Sequence, residues 1–297
     1  MNFNHTFSQM KREAKILLSG HWGPMIIGLL IYAFAPGIIQ GIFQVILLPQ
    51  DTVPSASALT IFTVVTIIIS LLIVVLNAGY IKMSLMICRR QDPGVGDLFY
   101  TVSHRPDKYI FSTILVGIVT ALPIIPGMIM MGAGIINLGL NFMDLYINAN
   151  SYDIYNYEMN IPDEVLVQSG TILLGACLLL IAGCIVSIIV GLMYEMVFPI
   201  LLDNEDMGVI DSMRASRRLM KGHKGRFFLL QLSFLGWIIL GIFTLGILYL
   251  WLVPYIQTTT MLYYFDLKRE PVPDSTPAPG QMPGQDDFTN QHPGEGF

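Results

Sequence analysis

Leu59-Thr60-Ile61-Phe62-Thr63-Val64-Val65-Thr66-Ile67-Ile68-Ile69-Ser70-Leu71-Leu72-Ile73-Val74-Val75-Leu76-Asn77-Ala78-Gly79-Tyr80-Ile81 runs 23 residues without a charge. At about 1.5 Å per residue, a helix of that length crosses a hydrocarbon core of about 30 Å. Lys82, Arg89 and Arg90 follow it, whereas the loop before it holds only Asp51. Cations at one end and an acid at the other give the segment an orientation as well as a length.

The same asymmetry repeats outward along the chain. Lys11, Arg12 and Lys15 precede the first apolar run, and Arg105 and Lys108 precede the third. Arg214, Arg217, Arg218, Lys221, Lys224 and Arg226 lie between the fourth and fifth runs, and Lys268 and Arg269 follow the last. The other long loop holds only acids: Asp144, Asp153, Glu158, Asp163 and Glu164. By the positive-inside rule the basic side is cytoplasmic. The reading is a multi-pass protein of the cell membrane with both termini in the cytoplasm. At 54% hydrophobic and 12% charged residues, with a mean hydropathy of +0.62, the composition excludes a soluble domain, for which about 25% charged residues is usual.

The runs predict an all-α bundle of six spans, at about 23–49, 59–88, 109–140, 165–202, 227–243 and 246–266. Pro123, Pro126 and Gly127 break the third run, yet two crossings there would put the six cations of 214–226 outside, so parity keeps one. The 39 uncharged residues of 227–265 would make one helix of about 58 Å, nearly twice the core, so a hairpin turning near Thr244 to Gly246 is expected, with a re-entrant pair or one long tilted helix as the alternatives. The first run is too long for a signal-peptide core and contains Pro24 and Pro36, so no cleavable signal is expected. Residues 1–269 form the membrane domain. The Pro- and Gly-rich stretch 270–297 reads as a disordered cytoplasmic tail, because it lacks apolar surface to offset ordering entropy. The outer loop 141–164, rich in Asn and Tyr, reads as an interfacial cover or a recognition loop.

Leu17-Leu18-Ser19-Gly20-His21-Trp22-Gly23 and Leu219-Met220-Lys221-Gly222-His223-Lys224-Gly225 share L-[LM]-x-G-H-x-G. Gly79-Tyr80-Ile81 and Pro254-Tyr255-Ile256 echo each other at the cytoplasmic ends of two later spans, with Tyr194-Glu195 at similar depth in another. The expectation is three hairpins of common plan, each preceded by a cytoplasmic interfacial helix; chance likeness of apolar sequence is the rival reading. On a helix from Val209 to Lys224, the cations Arg214, Arg217, Arg218, Lys221 and Lys224 share one face and Val209, Met213, Leu219 and Met220 the other, as in an interfacial amphipathic helix.

Two sites follow. Glu195 lies eight residues, about 12 Å, inside the boundary at Asp203, and Lys82 lies at similar depth, so the two are expected to pair across the bundle, as a structural bridge or a proton or substrate site. Arg214, Arg217, Arg218, Lys221, Lys224 and Arg226 are candidates for binding anionic lipid headgroups or a partner protein, or for anchoring the topology. Gln40, Gln44, Asn77, Gln231, Gln257 and Thr258 to Thr260 suit a polar path and equally suit interhelical hydrogen bonds. Cys88, Cys177 and Cys184 sit in or at the end of apolar runs as packing residues, and no metal site is expected at His21 or His223. The signatures of zinc hydrolases, nucleophile elbows, Walker loops and redox C-x-x-C pairs are missing, so no enzyme activity and no cofactor are expected. Membrane lipid is the expected partner, with a protein partner or homo-oligomer possible and no nucleic acid.

Ala215-Ser216-Arg217-Arg218-Leu219-Met220-Lys221-Gly222-His223-Lys224, Leu232-Ser233-Phe234-Leu235-Gly236-Trp237, Thr244-Leu245-Gly246-Ile247 and Leu250-Trp251-Leu252-Val253-Pro254-Tyr255 together resemble the bacterial integral membrane proteins of domain-of-unknown-function 975. Tyr263-Tyr264 and Ala14 to Trp22 fit the same pattern. The resemblance spans roughly residues 5–268. It implies a polytopic bacterial membrane protein without an assigned activity.

Overall fold

The computed structural model describes residues 6–48, 54–149 and 163–268, and every regular element among them is helical. The expected tail at 270–297 lies outside the described residues, as does most of the outer loop.

Helix α1, Phe7–Leu18, begins with a capping box: Gln9 N–H donates to the Thr6 hydroxyl at 3.4 Å, and Thr6 N–H to the Gln9 side chain at 2.7 Å. It buries Met10, Ala14 and Leu18, one stripe at four-residue spacing. Helix α2, Trp22–Leu47, runs through Pro36 without ending, and α3, Ala56–Cys88, is capped by Ser55. Thr60, Thr63, Thr66 and Ser70 of α3 return their hydroxyls to carbonyls four residues back, which satisfies them without water. A 3-10 turn, Val95–Phe99, leads to the short α4, Tyr100–Ser103.

Helices α5, Pro106–Ala121, and α6, Ile125–Ala149, divide the expected third span. The break is a turn at 122–124, ahead of Pro126, which has no N–H to give to a continuing helix. Both pieces pack on α7, Asp163–Tyr194. Their approach depends on glycine: a Cβ on Gly183 would lie 2.4 Å from the Pro123 carbonyl oxygen, and one on Gly127 2.8 Å from Leu180.

The expected fourth span is also divided, by a turn at Glu195 and Met196 ahead of α8, Val197–Asp203. Helix α9, Val209–Leu219, stops short of the expected Lys224, because Gly222 takes φ +83° and α10, Lys224–Leu232, starts in a new direction. Helix α11, Leu235–Phe243, ends in a turn where Leu245 and Gly246 have φ +51° and +86°. There Gly246 N–H donates to the Gly241 carbonyl at 2.9 Å, a helix-terminating motif. The last helix, α12, Tyr249–Lys268, is tied back by the Tyr249 hydroxyl, which donates to the Ile238 carbonyl at 2.8 Å.

Among the described residues, five segments are long and apolar enough to cross a membrane: Trp22–Leu47, Ala56–Cys88, Ile125–Asp144, Glu164–Asp203 and Lys224–Phe243. Burial is concentrated at the basic end. Met10 and Ala14 of α1 meet Leu85 of α3, Ile200 of α8, Phe227 of α10 and Tyr263 of α12 in one cluster. Away from that end Val45, Ile129 and Leu174 are 65–75% exposed. Lipid tails are as apolar as these side chains, so no hydrophobic force buries them there.

Candidate functional site at the basic end

Two acids at this end are nearly inaccessible, and each is held by cations. The Asp203 carboxylate, 3% exposed, accepts from Arg89 at the end of α3, from the Tyr264 hydroxyl at 2.7 Å and from Lys268 at 3.0 Å. Three helix ends therefore meet on one group. Asp266, 2% exposed, pairs with Arg226 at 3.2 Å, whose guanidinium also lies over the Phe7 and Tyr263 rings at 5.5 and 5.7 Å. Arg226 is thus a half-buried tie between α10 and α12, not the exposed headgroup contact expected from its place in the basic run.

Lys82 and Glu195 are not brought together. The Lys82 ammonium lies 2.6 Å from the Tyr100 ring centroid, within the field of Asp97 and Glu205. Its side of α3 is the one that receives the 3-10 turn and α4. The Leu98 carbonyl sits where a Cβ on Gly79 would be, and the Thr101 hydroxyl donates to the Val75 carbonyl at 2.7 Å. Glu195 lies at the break between α7 and α8, next to α9, whose Ser216 hydroxyl donates to the Met193 carbonyl at 2.8 Å. It is exposed, and among the described residues it has no ion pair or hydrogen bond. The two residues share a depth but face different neighbours.

Around Lys82 the polar groups form a chain. The Tyr100 hydroxyl donates to the Glu205 carboxylate at 2.5 Å, and Lys108 donates to the Glu205 and Met207 carbonyls. That bond to Glu205, with some burial behind it, pushes the Tyr100 hydroxyl above its ordinary pKa. Lys11 is pinned on the other side of the base, donating to the Ser233 carbonyl at 3.3 Å and lying 4.2 Å from the Phe234 ring centroid. Partial burial lowers its pKa.

The remaining cations face outward. Arg214, Arg217, Arg218 and Lys221 are exposed, while Lys224 is half-buried at the start of α10. Arg214 reaches Asp211 at 3.1 Å, an exposed pair that contributes a few tenths of a kcal/mol, about 0.3. On the opposite side α9 buries Val209, Ser212 and Ser216. Exposed guanidinium and ammonium groups on such a helix suit phosphate oxygens.

The junctions repeat in three dimensions. Gly20 and Gly222 have φ +93° and +83°, and both His21 and His223 cap the next helix at φ −112°. His21 N–H reaches Leu18, and His223 N–H reaches Met220, at 2.9 and 3.1 Å. A second repeat was missed in the sequence. Gly94-Val95-Gly96-Asp97 and Gly208-Val209-Ile210-Asp211 each place an extended glycine at the N-cap and an aspartate three residues later. The shared G-V-x-D was the available signal, hidden in loops that look unlike the apolar runs. The contact of His21 with Asp92 at 2.7 Å, 71 residues away, had no sequence signal.

Among the described residues no three His, Cys, Asp or Glu side chains gather as a metal site. No curated protein and no solved structure matches the chain. The family model described as protein of unknown function (DUF975) matches residues 1–270 of the 297, with the two junctions inside the match, and the chain belongs to that family.

Proposed function

We propose that this is a non-enzymatic multi-pass protein of the bacterial plasma membrane, whose basic end faces the cytoplasm and engages anionic phospholipid headgroups. The supporting observation is a division of labour among cations. Arg89, Arg226 and Lys268 are used on buried Asp203 and Asp266, while Arg214, Arg217, Arg218 and Lys221 are left exposed on one amphipathic helix. At roughly 1 kcal/mol per cation near an anionic leaflet, four contribute about 4 kcal/mol, close to a thousandfold preference. Six crossings in three pairs fit this orientation: α2 with α3, the broken α5 and α6 with α7, and the broken α10 and α11 with α12. An even number returns every basic loop to one side.

The test is lipid retention by the full chain, purified in neutral detergent and mixed with phosphatidylglycerol or phosphatidylcholine. Replacing Arg214, Arg217, Arg218 and Lys221 by Gln is expected to abolish the preference for phosphatidylglycerol. An unchanged preference rejects the reading and leaves these cations to anchor the helix or to bind a protein.

A second reading is transport. Its support is Glu195, exposed, without an ion pair or hydrogen bond among the described residues, and set in a broken helix. Interrupted helices form ion and substrate sites in several transporter folds. In reconstituted vesicles Glu195→Gln is expected to stop proton-coupled flux, and flux that persists removes Glu195 from the pathway.

A further inference from the structure

Helix α1 matches α9 residue for residue at an offset of 202. Thr6 and Gly208 are the N-caps, in extended conformation at ψ 161° and 154°, and Gln9 and Asp211 stand three residues inside. Met10 N–H donates to the Thr6 carbonyl at 3.0 Å and Ser212 N–H to the Gly208 carbonyl at 2.9 Å. The buried positions correspond: Met10 to Ser212, Ala14 to Ser216 and Leu18 to Met220. At the far end Ser19 N–H donates to the Ile16 carbonyl and Lys221 N–H to the Arg218 carbonyl, at 3.0 and 3.2 Å, before the two left-handed glycines.

The outward positions correspond as well. Arg12 stands where α9 has Arg214, and Lys15 where it has Arg217, and all four are exposed. Ile16, half exposed, takes the place of Arg218, and Ser19 that of Lys221. Glu13, the one acid of α1, is half-buried and already engaged. The middle unit provides an internal contrast. Counting from Gly94, its N-cap, Tyr100 and Ser103 fall at the places of Arg12 and Lys15, and Tyr100 is committed to Glu205 and Lys82.

We propose that α1 is a second anionic-headgroup station, formed by Arg12 and Lys15, so that each chain holds two anionic lipids, one on α1 and one on α9. The middle unit holds none. This inference rests on the lipid reading of α9 and extends it to residues that the long basic run does not contain. Both stations recognise a phosphodiester at the membrane surface by charge and hydrogen bonding. With two cations against four, α1 is the weaker station and empties first as salt rises.

The experiment is native mass spectrometry of the full chain released from neutral detergent containing phosphatidylglycerol, counting retained lipids. Wild type is expected to keep two. Arg12→Gln with Lys15→Gln is expected to keep one, the fourfold Gln variant of α9 one, and the combined variant none. Arg105→Gln, an exposed cation in the middle unit, is the control and should keep two. All of these cations are exposed and outside the core, so each variant should keep the thermal transition of wild type. An α1 variant that still keeps two lipids overturns the second station. If the α9 variant alone loses lipid, the proposed function survives without this extension; if neither loses any, both fail. Displacement of the retained lipid by inorganic phosphate would reassign the stations to a soluble anion and overturn the lipid assignment.

Discussion

The Tyr264 hydroxyl donates to Asp203 at 2.7 Å, joining the end of α12 to the end of α8, and Arg89 brings the end of α3 to the same carboxylate. Asp203 and Arg89 stand 114 residues apart, the offset that also superposes the two G-V-x-D turns. Equivalent ends of successive units thus meet face to face, one as acid and the other as base.

Asp203→Ala removes the acceptor from three donors at once. Breaking a buried ion pair costs about 3–5 kcal/mol, but Arg89 and Lys268 are partly exposed and recover hydration, so a loss of about 2–3 kcal/mol is expected. Cys88 reports the consequence locally. Its thiol is buried one residue before Arg89 and donates to the Thr258 carbonyl of α12. Labelling of Cys88 by a polar maleimide should quicken at least tenfold in Asp203→Ala below its melting temperature. Labelling as slow as in wild type would mean that the carboxylate does not hold these helix ends together.

Two cations of the same basic run should behave in opposite ways. Arg226→Gln leaves Asp266 buried without its guanidinium and is expected to cost about 3 kcal/mol, with lipid retention unchanged. Arg217→Gln touches no buried acid and should shift stability by less than about 0.5 kcal/mol while reducing lipid retention. Thermal melts in detergent paired with lipid counting separate the roles; similar melting losses in both variants would refute the division between cations paired to buried acids and surface cations.

Gly183→Ala should disturb the packing of α7 on the α5–α6 break. Its Cβ would lie 2.4 Å from the Pro123 carbonyl oxygen, which is backbone in a proline turn and cannot swing aside as a flexible side chain can. A loss of about 2 kcal/mol or more is expected, in the range of overpacked cores. Gly117→Ala, where a Cβ meets nothing within 4 Å, is the control and should be neutral or slightly stabilising. If both variants melt alike, the close approach at Gly183 is not a constraint on the fold.

Charge and apolar length made much of this architecture legible, because lipid imposes both directly on sequence. The turn near Thr244 to Gly246 followed from the same reasoning, since an uncharged run twice the core thickness has to break. The breaks at 122–124 and at Glu195 could not be placed by hydropathy, which is identical for a straight and a broken helix. Pairing was the least legible part. Depth along a helix is read from counting, but the face is not, and Lys82 turned toward Tyr100 while Glu195 stands exposed at the break between α7 and α8. Asp203 was used only as a boundary marker, although its buried carboxylate gathers three partners; its correspondence with Arg89 was present in the repeated G-V-x-D.

The Tyr100 bond to Glu205 makes a prediction at alkaline pH. The folded hydroxyl titrates above its unfolded value near 10, because the neutral form donates to the carboxylate. A group whose folded pKa is raised contributes its full stability below the unfolded pKa and loses it as pH rises through the folded one. The contribution should therefore persist to about pH 10 and fade above it. Lys82 over the ring and Lys108 beside Glu205 also face the pair, so wild type alone cannot isolate the effect. Tyr100→Phe keeps the ring under Lys82 and removes only the hydroxyl. The melting difference between wild type and Tyr100→Phe should be constant from pH 7 to 9 and shrink as pH rises past the unfolded value near 10. A difference that stays flat across that range would show that the hydroxyl bond to Glu205 contributes nothing to the fold.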